Sequence, residues 1–382
     1  MRTSIAAMND FPDPSREMWQ ARIGNFDKLA SLAADGIRIE PLYQQIAGGR
    51  ADRVMHGPWT VVQRVDHPDG TKANAQALDD LEHGAGGLAI AGEETDLVRV
   101  LRRVAVHAIH LRLEGGNKLA KAVSDYLKTQ PNNPERLGVS FGLANGDLVK
   151  NLWNQGFKGQ FLEADGRLVH ERGATEAQEL ACVLARIVWA LRKFETLPPA
   201  SVVGATLAAN QDMFLTLAKF RSLRLLWARV LETSGIPFEH LRVHGETSRR
   251  MMAKLDPHTN ILRATAAVFG AGLGGTDTFT VLPFSIALGV PNAFARRMAR
   301  NTQLILLEES QLWRVADPAS GSGYVESLTH ELCERAWSIF QGIEKTGKLP
   351  EFDAANKASD PVIGTSAYQL PKEFAAAVDI LP

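Results

Sequence analysis

The chain has 382 residues, with 42 Lys and Arg against 43 Asp and Glu and a formal net charge of −1, which excludes a generally basic nucleic-acid-binding protein. No run of about 18 apolar residues occurs, which excludes a membrane span, and the first residues lack the apolar segment of a secretory signal. Two cysteines, Cys182 and Cys333, exclude a disulfide framework and suit a reducing compartment, so we expect a cytoplasmic protein.

In chain order, the sequence predicts an arm and then a regular alternation of strands and helices. Turn residues such as Phe11-Pro-Asp-Pro14 punctuate residues 1–57 and predict an N-terminal arm, whereas residues 58–382 predict one large domain; length alone also allows about two or three domains. Short β-branched or small-residue runs predict strands at Trp59–Val65, Gly87–Ala91, Ala105–Leu113, Arg136–Phe141, Gln160–Ala164, Val202–Ala208, Leu241–His244 and Thr278–Leu282. Helices are predicted at Ala73–Glu82, Asn117–Thr129, Thr175–Phe194, Gln211–Glu232, Asn260–Gly270 and Ala293–Glu309.

Eight strands that alternate with helices predict a parallel α/β architecture and, by count, a (β/α)8 TIM barrel. A doubly wound open sheet gives a similar alternation, but no pattern indicates its crossover and switch point, so the barrel is preferred. Several predicted strands carry small or polar residues, as in Val202-Val-Gly-Ala-Thr206 and Val243-His-Gly-Glu-Thr-Ser248. We hypothesise that such residues leave room inside the barrel for a long, polar ligand.

Two nucleotide-binding patterns occur in the wrong context. Gly270-Ala-Gly272-Leu-Gly274-Gly275 follows a predicted helix and precedes a strand, so the helix N-terminus that holds a pyrophosphate is missing, and a helix C-cap with a tight turn is expected. Gly342-Ile-Glu-Lys-Thr-Gly347-Lys348 resembles a P-loop, but Leu349 replaces the Ser or Thr, and a helix end is expected. His107 and His110 point to opposite faces of a predicted strand, and no zinc motif occurs, so no metal site is predicted.

Two polar sets remain as candidates for a site. Arg242, His244, Glu246, Thr247 and Ser248 lie at the predicted end of a strand, where a parallel barrel carries its active site, although satisfying loop backbone groups is the alternative explanation. The second set consists of Asn301, Gln303, Glu308 and Glu309, for which a solvated helix face is equally compatible.

Longer segments resemble the methylmalonyl-CoA mutase family. They are Pro257-His-Thr-Asn-Ile-Leu-Arg-Ala-Thr265, Gly274-Gly-Thr-Asp-Thr-Phe-Thr-Val-Leu-Pro283, Ala299-Arg-Asn-Thr-Gln-Leu-Ile-Leu-Leu-Glu-Glu-Ser310, Asp317-Pro-Ala-Ser-Gly-Ser-Gly-Tyr-Val-Glu326 and Ala218-Lys-Phe-Arg-Ser-Leu-Arg-Leu-Leu-Trp227. The resemblance extends over nearly the whole chain. It implies a TIM barrel threaded by an acyl-CoA, with adenosylcobalamin over its C-terminal face as the source of a radical isomerisation.

Departures from the family pattern fall at catalytic positions. The resemblance places Arg64 where catalytic chains carry a tyrosine, and Arg167 and Leu168 where they carry a Tyr-His pair. Leucine can neither donate a hydrogen bond nor act as an acid, so the expected polarisation of the thioester is lost. Glu246 replaces the glutamine of an Arg-x-His-x-Gln-Thr-Ser motif that otherwise matches from Arg242 to Ser248.

The cobalamin-ligating Asp-x-His-x-x-Gly motif does not occur in this sequence, so the resemblance implies a barrel without a C-terminal cobalamin-binding domain. These features are most similar to the small, non-catalytic subunit of heterodimeric mutases. We therefore expect an isomerase subunit whose adenosylcobalamin is held by a catalytic partner chain, with no metal bound directly. Two alternatives stay open: a catalytic barrel for another acyl-CoA that uses a separate cobalamin-binding subunit, and a non-enzymatic acyl-CoA-binding or assembly module.

Overall fold

Eight parallel strands and the helices between them form the body of the molecule. The computed structural model describes residues 15–46, 48, 51, 57–92, 96–131, 133–143, 145–353, 362–369 and 376–380. The strands are β1 (Thr60–Val65), β2 (Gly87–Ala91), β3 (His110–Glu114), β4 (Gly138–Ser140), β5 (Leu162–Asp165), β6 (Val203–Ala209), β7 (Val243–Thr247) and β8 (Thr278–Thr280). Each overlaps a predicted strand.

The helices within these described ranges follow the predicted alternation. They are α1 (Arg16–Ile23), α2 (Gly70–Glu82), α3 (Leu97–Val100), α4 (Gly116–Thr129), α5 (Val149–Asn154), α6 (Arg167–His170), α7 (Glu176–Lys193), α8 (Pro199–Val202), α9 (Met213–Thr233), α10 (Thr259–Leu273), α11 (Ala293–Leu304) and α12 (Gly323–Thr346). A π-helical turn, Ile305–Glu309, continues α11 to the predicted end of that helix. No helix in the described part of the chain is long and apolar enough to cross a membrane.

The strands close into the predicted TIM barrel. The order of hydrogen-bonded neighbours is β4-β3-β2-β1-β8-β7-β6-β5, and every pair is parallel. Backbone bonds after β4 complete the circle, since Phe141 N donates to Gln160 O at 2.8 Å and Leu143 N donates to Phe161 O at 2.9 Å. The carboxyl ends of all eight strands therefore surround one mouth.

The alternation of side chains along each strand separates a polar interior from an apolar exterior. In β3, His110, Arg112 and Glu114 line cavities inside the barrel, whereas Leu111 and Leu113 are each 1 % exposed and belong to the hydrophobic core. Because successive side chains point to opposite faces, the core lies between the strands and the surrounding helices. The interior carries charged and hydroxyl groups instead of the bulky branched residues that usually fill such barrels.

Local sequence signals explain where the helices begin and end. Thr175 accepts from Gln178 N and the Gln178 side chain accepts from Thr175 N, a capping box that starts α7. Asn292 caps α11 by accepting from Ala295 N at 3.0 Å. Helix α12 ends at Gly347, whose φ of +68° is the left-handed conformation that glycine adopts most readily. The P-loop-like segment is therefore a helix end, as predicted.

Two boundaries, those of β3 and α10, differ from the sequence-based expectation. Val106–Ala108 forms a 3-10 turn, and β3 begins only at His110. The prediction that His107 and His110 lie on one strand was therefore wrong. Helix α10 extends to Leu273, beyond its predicted end at Gly270, and Gly274 is its C-cap, so the helix C-cap predicted for the glycine motif is confirmed. Gly270 and Gly272 lie inside the helix against Met213 and Trp59, where an added Cβ would come within 2.5 and 2.8 Å.

The predicted N-terminal arm is described in part. Besides α1, residues Ser31–Leu32 and Arg38–Ile39 pair as a short antiparallel hairpin, and the Asp35 carboxylate accepts from Ala177 N at 3.1 Å at the start of α7. The turn at Phe11–Pro14 lies outside the described residues, and the proposed domain boundary at residue 57 stays a prediction.

Candidate functional site

A cavity of about 510 Å³ opens at the carboxyl ends of the barrel strands. Its walls carry an unusual concentration of charge, which we call the mouth cluster: Arg64, Arg112, Glu114, Glu163, Asp165, Arg167 and Glu246. The members come from β1, β3, β5 and β7 and from the start of α6, so only the closed barrel brings them together. Three guanidiniums meet four carboxylates in this cluster.

Glu114, at the end of β3, is the centre of the mouth cluster. Its Oε1 lies 3.0 Å from Arg112 Nε and 2.8 Å from an Arg167 guanidinium nitrogen, and its Oε2 pairs with Arg64. Burial alone would raise the pKa of Glu114, but the guanidiniums of Arg167, Arg112 and Arg64 hold that pKa well below its ordinary value. Glu114 is therefore ionised and joins β3 to β1 and to the start of α6.

Arg167 connects the carboxylates of three strands. The same guanidinium nitrogen that contacts Glu114 lies 2.8 Å from Glu246 Oε2, and its other terminal nitrogen lies 2.8 Å from Asp165 Oδ2. Burial raises the pKa of Glu246, since the attraction of Arg167 is opposed by the neighbouring charge of Glu114. The two glutamates therefore differ in protonation tendency although they share one arginine.

Arg112 extends across the barrel beneath the mouth. Its guanidinium lies 3.3 Å from Glu163 Oε2 and donates to Thr206 Oγ1 at 2.8 Å, and the Thr206 hydroxyl donates to Glu163. Arg112 is only 3 % exposed. A layer of ion pairs and hydrogen bonds thus spans the interior from β3 to β5 and β6.

Below this layer, toward the amino ends of the strands, the interior narrows to a cavity of about 10 Å³, enough for roughly one water molecule. Burial, with the charges of Arg242 and Arg112, lowers the pKa of His110 to about 3. His244 also has a pKa well below its ordinary value because of burial and of Arg112 and Arg167, so both imidazoles are neutral. The expected room for a long polar ligand is absent from the described barrel: charged side chains fill it.

The structure brings most of the first predicted set to the mouth. Glu246 belongs to the mouth cluster, and Thr247 and Ser248 line the same cavity. Arg64 and Arg167, which the family resemblance singled out, are also members of the mouth cluster. Leu168 stands at its rim with 68 % of its surface exposed. His244 and Glu246 share the interior face of β7, as alternation predicts, but His244 lies lower and bonds Thr278 Oγ1 through Nδ1 at 2.7 Å.

Other predicted site residues lie elsewhere. Arg242 precedes β7 and lines the small cavity at the opposite end of the barrel, because the strand runs from Val243 to Thr247 and not from Leu241 to His244. In the second set, Gln303 accepts from Trp59 Nε1 at 3.1 Å just before β1, far from the mouth. Asn301 is half-buried on α11, and Glu308 and Glu309 are exposed, so these residues do not line the mouth cavity.

Sequence reasoning missed the charged residues that close the barrel, although a signal was present. In His110-Leu-Arg-Leu-Glu114 and Leu162-Glu-Ala-Asp165, charged residues alternate with apolar ones inside predicted strands. Since a parallel barrel is apolar on its outer face, period-two charges can point only inward. That rule identifies Arg112, Glu114, Glu163 and Asp165 without any reference to the fold's relatives.

Within the described residues, no group of three or more His, Cys, Asp or Glu side chains is arranged to hold a metal ion. Both cysteines are reduced, and burial raises the pKa of each thiol to about 11, so neither is a ready thiolate ligand. The arginines of the mouth cluster are paired with carboxylates of the chain itself.

Comparison with known proteins decides the family. A protein-family model described as methylmalonyl-CoA mutase matches residues 157–379, which span β5 to β8 and the helices beyond. The chain belongs to the methylmalonyl-CoA mutase family. The resemblance that the sequence motifs suggested is thereby confirmed.

Several relatives in the methylmalonyl-CoA mutase family carry a more specific description. The chain is 35 % identical over 406 residues to the methylmalonyl-CoA mutase small subunit of Streptomyces virginiae, covering 90 % of this chain and 65 % of that protein. It is also 35 % identical over 391 residues to the probable small subunit of Mycobacterium tuberculosis (strain ATCC 25618 / H37Rv), with 92 % and 63 % covered. A methylmalonyl-CoA mutase of Rhizobium meliloti (strain 1021) is 32 % identical over 261 residues, 62 % of this chain and 36 % of the relative. The chain thus spans just under two thirds of the length of the small subunits.

Proposed function

We propose that this chain is the non-catalytic small subunit of a methylmalonyl-CoA mutase heterodimer, and that a cobalamin-carrying partner chain performs the isomerisation. The mouth cluster is the observation that carries the proposal. Where a catalytic barrel must admit an acyl-CoA, Arg64 and Arg167 are held by Glu114 and Glu246. Breaking a buried pair with Glu114 leaves an uncompensated charge and costs about 3–5 kcal/mol, so the passage from the mouth into the barrel interior stays closed.

The residues at the rim support the same conclusion. Leu168 occupies the position at which the family's catalytic chains are expected to carry a histidine, and its side chain is largely exposed to solvent. An aliphatic group offers no proton and no hydrogen bond to a thioester carbonyl. Arg64 replaces the expected tyrosine and is fully engaged with Asp66 and Glu114.

The residues described in this chain do not supply a ligand for the cobalt of adenosylcobalamin. The sequence lacks the Asp-x-His-x-x-Gly motif, and His170 and His244, the histidines nearest the mouth, are buried and bonded to Ser248 and Thr278. The cofactor would supply the radical chemistry from the partner chain, and no step of that reaction is assigned to this one.

The two alternatives receive less support from the geometry. A catalytic barrel for another acyl-CoA requires a free guanidinium at the mouth for a substrate carboxylate, yet Arg64 and Arg167 are each paired with two or more carboxylates of the chain itself. An acyl-CoA-binding module requires an open interior, and Arg112 crosses it.

The test is reconstitution with the cobalamin-binding mutase chain of the same organism. A tagged form of this chain should copurify with that partner at one-to-one stoichiometry, and turnover of methylmalonyl-CoA with adenosylcobalamin should depend on the partner's active site. The paired variant R64Y/L168H, which restores the family's residues, should neither add activity to the complex nor create it in the free chain. Failure to form a complex, or turnover by the free chain with added adenosylcobalamin, would contradict the proposal.

A further inference from the structure

A serine, a histidine and a glutamate are aligned beside the mouth cavity. Ser248, the first residue after β7, has its Oγ 2.8 Å from Nε2 of His170 at the end of α6. The other ring nitrogen, Nδ1, is buried and lies 3.3 Å from Oε2 of Glu179 in α7, a distance that allows an ion pair, although the two atoms are not aligned for a hydrogen bond. The three residues come from separate elements, and His170 and Ser248 are 78 positions apart in the sequence.

We propose that Ser248, His170 and Glu179 form a nucleophile–base–acid triad and that the chain hydrolyses small acyl esters or thioesters that enter the mouth cavity. This activity goes beyond the proposed role as a mutase subunit and does not depend on a partner chain. A serine is activated when a base lies within hydrogen-bond reach and a third group orients that base, and such triads are recognised by geometry and role instead of sequence order.

Glu179 is held in the form that the orienting role needs. Its Oε2 lies 2.7 Å from Lys219 Nζ, and its Oε1 accepts from Ala208 N at 2.8 Å. Burial alone would raise the pKa of Glu179, but Lys219 and His170 lower it to about 2. The carboxylate is therefore ionised at neutral pH, is fixed by two donors, and can stabilise an imidazolium on His170.

Access to the serine is through the mouth cavity. Ser248 lines the space of about 510 Å³, a volume within the range of small-molecule sites, although the residue itself is 2 % exposed. Because the ion-pair layer closes the barrel beneath, the cavity suits a small acyl group entering from the solvent side and not a ligand threaded through the interior.

The negative charge that develops on the carbonyl oxygen of the substrate needs a hydrogen-bond donor to stabilise it. The backbone N–H of Ser248 is bonded to Ala209 O at 2.7 Å, and that of Arg249 to Glu171 Oε1 at 3.2 Å, so neither is available. The Arg249 side chain is exposed and lines the same cavity, and no carboxylate of the described residues pairs with it. We assign the stabilisation of the oxyanion to the Arg249 guanidinium.

Water is the only co-reactant that this hydrolysis requires. Ser248 Oγ forms a bond to the carbonyl carbon while its proton passes to His170 Nε2. The tetrahedral intermediate collapses, the bond from carbon to the leaving oxygen or sulfur breaks, and the leaving group takes the proton from His170. Water then attacks the acyl-serine with His170 as the base, which releases the carboxylic acid and restores the serine.

The purified chain alone provides the test. With p-nitrophenyl acetate as the substrate, we expect hydrolysis above the uncatalysed rate that falls about tenfold or more in S248A, and a fluorophosphonate ester should label the tryptic peptide that contains Ser248. S285A is the matched control, since Ser285 is also buried but its hydroxyl has no hydrogen-bond partner in the described structure; both readouts should stay unchanged there.

A second variant guards against a loss of folding in S248A. In S248C, the thiol should react with iodoacetamide at neutral pH at least tenfold faster than Cys182 and Cys333, because His170 can take its proton. Wild-type hydrolysis equal to S248A, no labelling of Ser248, or an unreactive thiol in a folded S248C variant would each show that the three residues only tie β7 to α6 and α7. A chain that hydrolyses esters but fails to bind a mutase partner would overturn the proposed subunit role and leave the triad standing.

Discussion

At the level of single residues, the mouth cluster contains one more carboxylate than guanidinium. The three arginines lie within reach of Glu114, Glu163, Asp165 and Glu246, and the positive charge is shared unequally. Glu114 contacts all three guanidiniums and has a lowered pKa, whereas Glu246 is left with a raised pKa. The cluster is therefore held together mainly by Glu114.

This inequality predicts opposite results for the same substitution at two positions. E114Q leaves three buried guanidiniums with too few partners and should lower the free energy of unfolding by about 3 kcal/mol or more. E246Q restores the amide that the family motif carries and should change it by less than about 1 kcal/mol, because ionised Glu246 is already disfavoured. Urea unfolding at pH 7 measures both, and equal losses would show that Glu246 shares the central role.

The pKa of Glu179 predicts how stability depends on pH. Its pKa is about 2 in the folded protein against 4.5 ordinarily. A lowered pKa contributes stability that is fully present above about pH 4.5 and is lost as the pH falls toward 2. The wild-type midpoint for urea unfolding should therefore fall over this window, and the fall should be smaller in E179Q. Parallel pH curves for the two proteins would contradict this account.

At the level of elements, the capping box of α7 joins a helix start to the N-terminal arm. Thr175 caps α7 and its hydroxyl also bonds Asp35, whose carboxylate accepts from Ala177 N as well. T175A should lower the free energy of unfolding by about 1–2 kcal/mol, whereas T175S, which keeps the hydroxyl, should lower it by only a few tenths. Thermal or urea unfolding distinguishes the two, and equal losses would assign the effect to the methyl group.

Closure of the barrel between β4 and β5 requires a glycine at position 159. At Gly159, an added Cβ would lie 1.7 Å from Val139 O, inside the backbone that joins these strands. G159A should therefore destabilise the protein by about 3 kcal/mol or more, by forcing the strands apart. At Gly342, in the last turns of α12, nothing lies within 4 Å of an added Cβ, and G342A should stabilise by about 0.5–1 kcal/mol. Circular dichroism on heating separates the two outcomes.

The elements were largely predictable from the sequence because their signals are local. β-branched runs such as Thr60–Val65 and capped amphipathic stretches such as α7 specify their own conformation. The predicted start of β3 at Ala105 was wrong, because Val106–Ala108 has a strand-like composition but forms a 3-10 turn. The bounds of β7 were also misplaced, since the strand continues through Gly245 to Thr247. Phe279 packs where a side chain at Gly245 would lie.

The site was predictable only where one segment supplies it. Glu246, Thr247 and Ser248 are adjacent in the sequence, and Arg64 and Arg167 were found through the family resemblance. The pairings of Glu114 with Arg64 and Arg167, and of Ser248 with His170, join residues that are 50, 53 and 78 positions apart. Such contacts depend on the closure of the barrel, which no local pattern encodes.

At the level of the whole molecule, the barrel combines the fold of the methylmalonyl-CoA mutase family with an interior that is closed. Arg112 and its partners cross the lumen, Arg64 and Arg167 are neutralised at the mouth, and the space below holds about one water. Under the proposed subunit role, the partner chain would bind the acyl-CoA.

Calorimetric titration of the isolated chain with succinyl-CoA tests this closed interior most directly. The account predicts no saturable heat up to millimolar ligand, for the wild-type chain and equally for L168H, because the ion-pair layer blocks the barrel in both. Saturable binding with a micromolar dissociation constant that is lost on substituting Arg112 or Glu114 would contradict it, since the acyl-CoA would then occupy the space that the mouth cluster is said to close.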